Sequence, residues 1–129
     1  MRHIRPFPVH RDRYVDLYDR LMPKVRFDLL DWRAPDLTEP FCWIFTGAWT
    51  DGKGFRKVRF DSHALYVHRA MYEILVGTVP EGLVLDHLCR RRACCCPDHL
   101  EPVTVLENTL RGNGAWMMYQ TPAQERIAA

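Results

Sequence analysis

Apolar residues near the start of the chain recur at helical spacing. They fall three and four residues apart within Asp12–Met22, which predicts an amphipathic helix there, with Pro23 as its stop. A second, short helix is predicted over Phe27–Trp32. The apolar face of the first helix predicts that it packs on a hydrophobic core.

The next stretch has the alternation and turn residues of extended chain. Cys42 to Phe60 is predicted to form a β-hairpin, with Trp43–Phe45 on the first strand and Asp51–Gly54 at the turn. Alternation along the returning strand directs Val58 and its even-numbered neighbours to one face. The side chains on the opposite face are Phe55, Lys57 and Arg59.

The second half of the chain mixes short strands with helices. A strand over Ala64–Val67, a helix over His68–Val76 and a buried strand over Leu83–Leu85 are predicted. Pro102 and Val103 form a further strand, and a capping box made by Thr104 and Glu107 starts a helix at about Val105. This helix is expected to stop around Gly112–Gly114. The order of elements predicts an α+β fold.

Composition places the chain among globular proteins. Its 129 residues correspond to one domain, and 47% hydrophobic and 26% charged residues without a long apolar run are not typical of membrane or disordered proteins. An odd number of cysteines, five, argues against a disulfide framework. We therefore expect a reducing, cytoplasmic location.

Charge is distributed unevenly along the chain. The net charge is only +2, but residues 53–92 carry eight basic and four acidic side chains. Phosphate backbones attract such basic segments, although a solvated basic surface is the alternative explanation. The candidates for contact with DNA are Lys57, Arg59, Arg90, Arg91 and Arg92.

Soft metal ligands are concentrated between residues 89 and 99. Cys89, Cys94 and His99 are each separated by four residues, and thiolate and imidazole are the donors that tetrahedral zinc prefers. Cys95 and Cys96 are nearby, but a distant residue is a geometrically easier fourth ligand, and Cys42 is the remaining cysteine. Reduced thiols buried as small hydrophobic side chains are the alternative.

Four segments of the chain carry a resemblance to a known family. They are CWIFTGA, HRAMYE, GLVLDHLCRRRACCCPDHLEPVT and LEN. Together they resemble HNH endonucleases of the phage and homing type, and the spacing of the soft ligands is similar to that of His-Cys box homing endonucleases. The resemblance covers Phe41–Gly112. It implies a zinc-stabilised ββα-metal (His-Me finger) core over residues 41–114, after an N-terminal helical extension (1–40) and before a C-terminal tail (115–129).

The resemblance also implies roles for individual residues. His87 matches the general base that deprotonates the attacking water, and Asn108 matches a ligand of the catalytic cation, Mg²⁺ or another divalent ion. Asp86 matches a second ligand of that cation, and Arg69 is a candidate contact to the cleaved phosphate. The residues that match the structural zinc ligands are Cys42, Cys89, Cys94 and His99.

One position departs from the family pattern. Cys96 stands where the family has asparagine, and a thiol cannot replace an amide that uses both a donor and an acceptor. The main interpretation is an endonuclease that hydrolyses double-stranded DNA in the cytoplasm of a bacterium or of a phage-infected host. The alternatives are a zinc-stabilised DNA-binding module without catalysis and a zinc-bearing protein-interaction domain. The apolar residues Trp116–Tyr119 either dock on the core or form a homodimer.

Overall fold

The computed structural model describes residues 7–29, 39–47, 49–50 and 52–118, and these form an α+β fold. The helices are α1 (Tyr14–Leu21), α2 (Val67–Leu75) and α3 (Val105–Met118). The strands are β1 (Val25–Leu29), β2 (Phe41–Phe45), β3 (Trp49–Thr50), β4 (Arg56–Phe60), β5 (His63–Tyr66), β6 (Leu83–His87) and β7 (Leu100–Thr104).

The strands form three small antiparallel sheets, ordered β1-β2, β3-β4-β5 and β6-β7. Two predictions are wrong here. The segment predicted as a helix from Phe27 to Trp32 begins as strand β1, whose aromatic Phe27 lies opposite Trp43 of β2. The predicted hairpin is wrong in its first strand: β2 at Cys42 pairs with β1, whereas the returning strand β4 pairs with the short strand β3, which directly precedes the predicted turn, and with β5. Local alternation identified the strands but not their partners, which tertiary packing decides.

The main core lies under α1, β2, the three-stranded sheet and α2. Leu17 and Leu21 of α1 are fully buried together with Phe45 and Met71, so the prediction that the first helix packs on the core is confirmed. On β4, Val58 is buried and Arg59 is exposed, as the alternation predicted.

A second unit follows in which β6 and β7 form a hairpin and α3 continues directly from β7. Leu85 pairs with Pro102, and His87 at the end of β6 pairs with Leu100. The Glu107 amide donates a hydrogen bond to Thr104 Oγ1 at 3.0 Å, which is the first half of the predicted capping box. The helix continues to Met118 rather than stopping at Gly112–Gly114, because glycine lowers helix propensity without forbidding the helix.

The expected N-terminal extension contributes a strand to its neighbour, since β1 pairs along its length with β2. Parts of that extension, residues 1–6 and 30–38, and most of the expected tail lie outside the described residues, as do the side chains of Trp116–Tyr119. Among the described residues, no helix is long and apolar enough to cross a membrane.

Candidate metal centre and active site

Three thiols and one imidazole converge at a single buried point. Their ligand atoms lie within 4.8 Å of one another, and the residues are Cys42, Cys89, Cys94 and His99. His99 Nδ1 is 3.6 Å from both Cys42 Sγ and Cys94 Sγ. Zinc–sulfur bonds of about 2.3 Å and zinc–nitrogen bonds of about 2.0 Å in a tetrahedron separate ligand atoms by roughly 3.5–3.8 Å. We refer to this set as the Cys3His cluster, and its geometry fits a zinc ion.

Backbone pairing explains how the distant Cys42 reaches this cluster. The loop after β6 lies against β2 and forms an antiparallel bridge between Cys94 and Ile44. Phe45 N donates to the carbonyl of Ala93 at 3.0 Å, and Cys95 N donates to the carbonyl of Trp43 at 2.8 Å. These bonds hold Cys42 on β2 beside the loop ligands and join the two halves of the fold.

The second ring nitrogen of His99, Nε2, has a hydrogen-bond partner outside the cluster. Nε2 lies 2.6 Å from the carbonyl oxygen of Glu39, an acceptor, so Nε2 carries the hydrogen and Nδ1 turns its lone pair toward the thiols. A metal-binding histidine ordinarily donates its second ring hydrogen in this way, which fixes its tautomer and orientation.

The five thiols differ in their electrostatic surroundings. Hydrogen bonds from Cys89 and from Cys94 lower the pKa of Cys42 to about 4, so the cluster stabilises a thiolate. Burial raises the pKa of Cys96 to about 12 and also raises that of Cys95, which packs in the main core. The distant Cys42 therefore completes the cluster, and the two adjacent cysteines do not.

Strand β6 sends its last two side chains in opposite directions. The buried Asp86 carboxylate faces α3, where its Oδ2 is 3.3 Å from Arg111 Nη1. Its Oδ1 is 2.8 Å from Arg90 Nη1. Arg111 also contacts Glu101 Oε2 at 2.7 Å and Glu107 Oε1 at 2.8 Å. Both oxygens of Asp86 are thus engaged by guanidinium groups.

His87 lies on the other face of β6 and is buried. Its Nε2 is 3.0 Å from the carbonyl oxygen of Cys94, so Nε2 carries the hydrogen and Nδ1 keeps its lone pair. Burial lowers the pKa of His87 below its usual value, which favours the neutral imidazole. The ring packs against His68 with 4.7 Å between centroids and against Phe55 with 5.6 Å.

Next to these rings is a cavity of about 320 Å³ between β6, α3 and the start of α2. Its polar and aromatic lining consists of Lys53, Phe55, Tyr66, His68, Arg69 and Asn108. Asn108 and Arg69, both predicted site residues, therefore meet at one cavity. Within the described lining His87 and Asp86 do not take part, and His87 reaches the cavity through its contacts with His68 and Phe55.

The basic residues predicted to meet DNA do not form one group. Lys57 lies with its Nζ 4.8 Å from the centre of the Tyr66 ring, beside the cavity, and Arg59 is exposed on the same strand. Arg92 lies 5.1 Å from the centre of the Phe55 ring. Arg90 instead pairs with Asp86, and Arg91 is directed toward β1, where Asp28 Oδ2 is 3.9 Å away.

Sequence reasoning missed two features of the site. His68 had no assigned role, although it packs on His87 and lines the cavity. Its position immediately before Arg69 in the sequence is the feature that could have identified it as a site residue. Arg111 was also missed, and its position three residues after Asn108 on one helix face could have indicated it.

Comparison with known proteins finds a family match over part of the chain. Residues 65–110 match a family model described as HNH endonuclease, so the predicted resemblance is confirmed over that range. The chain is 33% identical over 46 residues to the uncharacterized gene 5.3 protein of Enterobacteria phage T3, covering 36% of this chain and 46% of that protein. It is 33% identical over 75 residues to Protein 2.8 of Escherichia phage T7, covering 57% and 50% respectively. The chain spans about half the length of these curated relatives, and no solved structure matches it.

Proposed function

We propose that the chain is a divalent-cation-dependent endonuclease that hydrolyses phosphodiester bonds in double-stranded DNA. The observation that carries this proposal is the buried His87, whose pKa is lowered by burial, inside the segment that matches HNH endonucleases. Nuclease activity is what that match suggests, and the residue roles below are our own assignment.

His87 acts as the general base. Hydrolysis requires a proton to be taken from the attacking water, and a neutral imidazole with a free ring nitrogen can accept it. The hydrogen bond from Nε2 to the Cys94 carbonyl leaves Nδ1 for this task. Packing against His68 restricts the ring, so that the base is held in one orientation.

Asp86 and Asn108 are the residues that would hold the catalytic cation, Mg²⁺ or a similar ion, because their oxygen atoms are the hard donors such ions prefer. When bound, the cation neutralises charge on the scissile phosphate and the leaving oxygen. Asp86 does not line the cavity that holds Asn108, so in this proposal its carboxylate must release one guanidinium group and turn toward the ion to offer an oxygen. Arg69, on the cavity wall, would hold the phosphate that is cleaved.

In this proposal the β6–β7 hairpin and α3 form the ββα-metal unit, within a core of residues 41–114. Zinc in the Cys3His cluster would be structural, because four protein ligands leave no open position for a substrate. The β1 strand of the extension completes the sheet that supports the cluster. The protein would act in the cytoplasm, where reduced thiols persist.

Contact with DNA would be spread over several basic side chains. Lys57, Arg59 and Arg92 are favoured by their positions near the cavity or on an exposed strand. Arg90 and Arg91 have protein partners and would contribute mainly by holding the loop. Binding through such residues should weaken as salt concentration rises.

Supercoiled plasmid incubated with the protein and Mg²⁺ tests the proposal. The wild type should convert it to nicked or linear forms, and His87→Ala should lower the rate by about a hundredfold or more. His63→Ala removes an exposed histidine and is the matched control, which should cleave normally. Equal cleavage by His87→Ala and wild type would contradict the assigned base.

The second candidate is a zinc-stabilised DNA-binding module that has lost catalysis. Cys96 favours it, because this residue stands where the family resemblance places asparagine. Plasmid that is retarded in a gel but remains intact with Mg²⁺ would support this candidate.

A further inference from the structure

The cavity beside His68 has a lining that phosphate binding alone does not require. Its volume of about 320 Å³ is within the range of small-molecule sites, which begins at roughly 300 Å³. Part of its wall is apolar, formed by Val79, Leu83, Val84 and Leu85. Sites that follow a DNA backbone are basic and polar, so this apolar wall calls for a different occupant.

Another part of the wall is aromatic, and its rings contact one another. Phe55 meets Tyr66 edge-to-face, with 6.1 Å between ring centroids, and His68 lies 5.5 Å from each of them. Tyr66 nevertheless remains 38% exposed. A ring fixed by its neighbours can accept a planar partner at little further entropic cost.

Charged and amide groups lie around these rings. Lys53 and Arg69 line the cavity, and Lys57 lies over the Tyr66 ring. The amide NH2 group of Asn108 is a donor that remains available to the edge of a base when the amide oxygen holds a cation. Aromatic rings next to basic side chains are the usual combination for binding unpaired nucleotides, whose bases stack on the rings while phosphates meet the cations.

We propose that this cavity receives one unstacked nucleotide of the strand that is cut. The bases of intact duplex DNA are stacked on one another and cannot enter a recessed cavity without leaving the helix. DNA with an unpaired nucleotide at the cleavage position is therefore bound and cleaved in preference to fully paired duplex. The cleavage part of this inference rests on the proposed nuclease function, whereas the binding part does not.

Three oligonucleotides of one sequence test the inference: a single strand, a duplex with one unpaired nucleotide, and a fully paired duplex. Cleavage rates are measured with Mg²⁺, and affinities by fluorescence anisotropy with Ca²⁺ replacing Mg²⁺. Wild type should favour either unpaired substrate on the order of tenfold over the paired duplex. The unpaired substrate with the higher cleavage rate and affinity shows whether the nucleotide comes from single-stranded DNA or from a locally opened duplex.

Variants of Tyr66 test whether the preference for unpaired DNA depends on the cavity. Tyr66→Ala should remove the preference, whereas Tyr66→Phe keeps a ring and should retain it. Phe27→Ala removes an exposed ring on β1 and is the matched control, which should also retain it. Thermal unfolding of each variant shows whether it is folded.

The outcomes separate this inference from the nuclease proposal. Equal affinity and rate for all three DNAs, or a preference that survives in folded Tyr66→Ala, overturns the inference even if the protein cleaves DNA. Absence of cleavage together with a Tyr66-dependent affinity for unpaired DNA supports the inference and refutes only the nuclease proposal.

Discussion

The Nε2 atom of His87 lies 3.0 Å from the carbonyl oxygen of Cys94, a member of the Cys3His cluster. One residue thus uses its side chain for the cluster and its backbone to orient the proposed base. Loss of a cluster ligand should therefore change the orientation of His87, because the Cys94 carbonyl group links the cluster to the His87 ring.

The first prediction follows from this link and concerns the loss of a cluster thiol. Cys42→Ser should lose bound zinc, because a tetrahedral site with three remaining protein ligands binds the ion more weakly. The loop that carries Cys94 would lose its anchor on β2, and nicking should fall together with the melting temperature. Zinc content by mass spectrometry and thermal unfolding measure the two effects.

Cys95→Ala is the matched control for this experiment. Its thiol packs in the main core outside the cluster, so zinc content should be unchanged. Loss of the small side chain should cost about 1 kcal/mol of unfolding free energy. Equal zinc loss in both variants would mean that the cluster is not the zinc site.

A second prediction concerns Cys96, the N-cap residue of the 3-10 turn Pro97–His99. The amides of Asp98 and His99 lie near its thiol, but sulfur is a weak acceptor and no side-chain capping hydrogen bond forms within the described structure, whereas asparagine is among the best N-cap residues. Cys96→Asn should raise stability by up to about 1 kcal/mol. If the amide also fastens the loop, the nicking rate should rise as well.

Cys96→Ser separates these two contributions. Serine supplies a capping oxygen but lacks an amide, which has a donor at one atom and an acceptor at another. It should therefore improve stability without the full gain in nicking rate. A loss of stability in both variants would indicate that the buried site tolerates neither side chain, and would contradict the capping argument.

The features of the fold and site that could be predicted from the sequence are those that depend on the spacing of nearby residues. Amphipathic spacing located α1, and the capping box located the start of α3. Ligand spacing identified Cys89, Cys94 and His99, and the need for a distant fourth donor identified Cys42. Each of these features depends on residues within one segment or on the coordination number of one ion.

The parts that sequence did not reveal depend on contacts between segments. The pairing of β1 with β2 joins two segments of the chain and brings Phe27 against Trp43, whose rings meet edge-to-face with 5.8 Å between centroids. The contact of His68 with His87 joins the start of α2 to the end of β6. Neither residue pair has a periodic signature, because the two members belong to different elements.

The last prediction concerns the guanidinium groups on Asp86. Arg111→Met keeps much of the side-chain length but removes the charge, leaving the buried Asp86 carboxylate with Arg90 as its remaining described cationic partner. Unfolding free energy should fall by about 1–2 kcal/mol without added cation, since a buried carboxylate loses a charged hydrogen bond.

Addition of Mg²⁺ should then stabilise Arg111→Met more than wild type. The ion no longer competes with Arg111 for an oxygen of Asp86, and a ligand that binds the folded state stabilises it by an amount that grows with the logarithm of its affinity. The exposed pair of Arg13 and Asp61 supplies the control: Arg13→Met should leave the response to Mg²⁺ unchanged. Melting curves with increasing Mg²⁺ concentration measure both responses. An equal response in Arg111→Met and wild type would argue that the ion binds away from Asp86, and Asn108 on the cavity wall would then be the remaining proposed ligand.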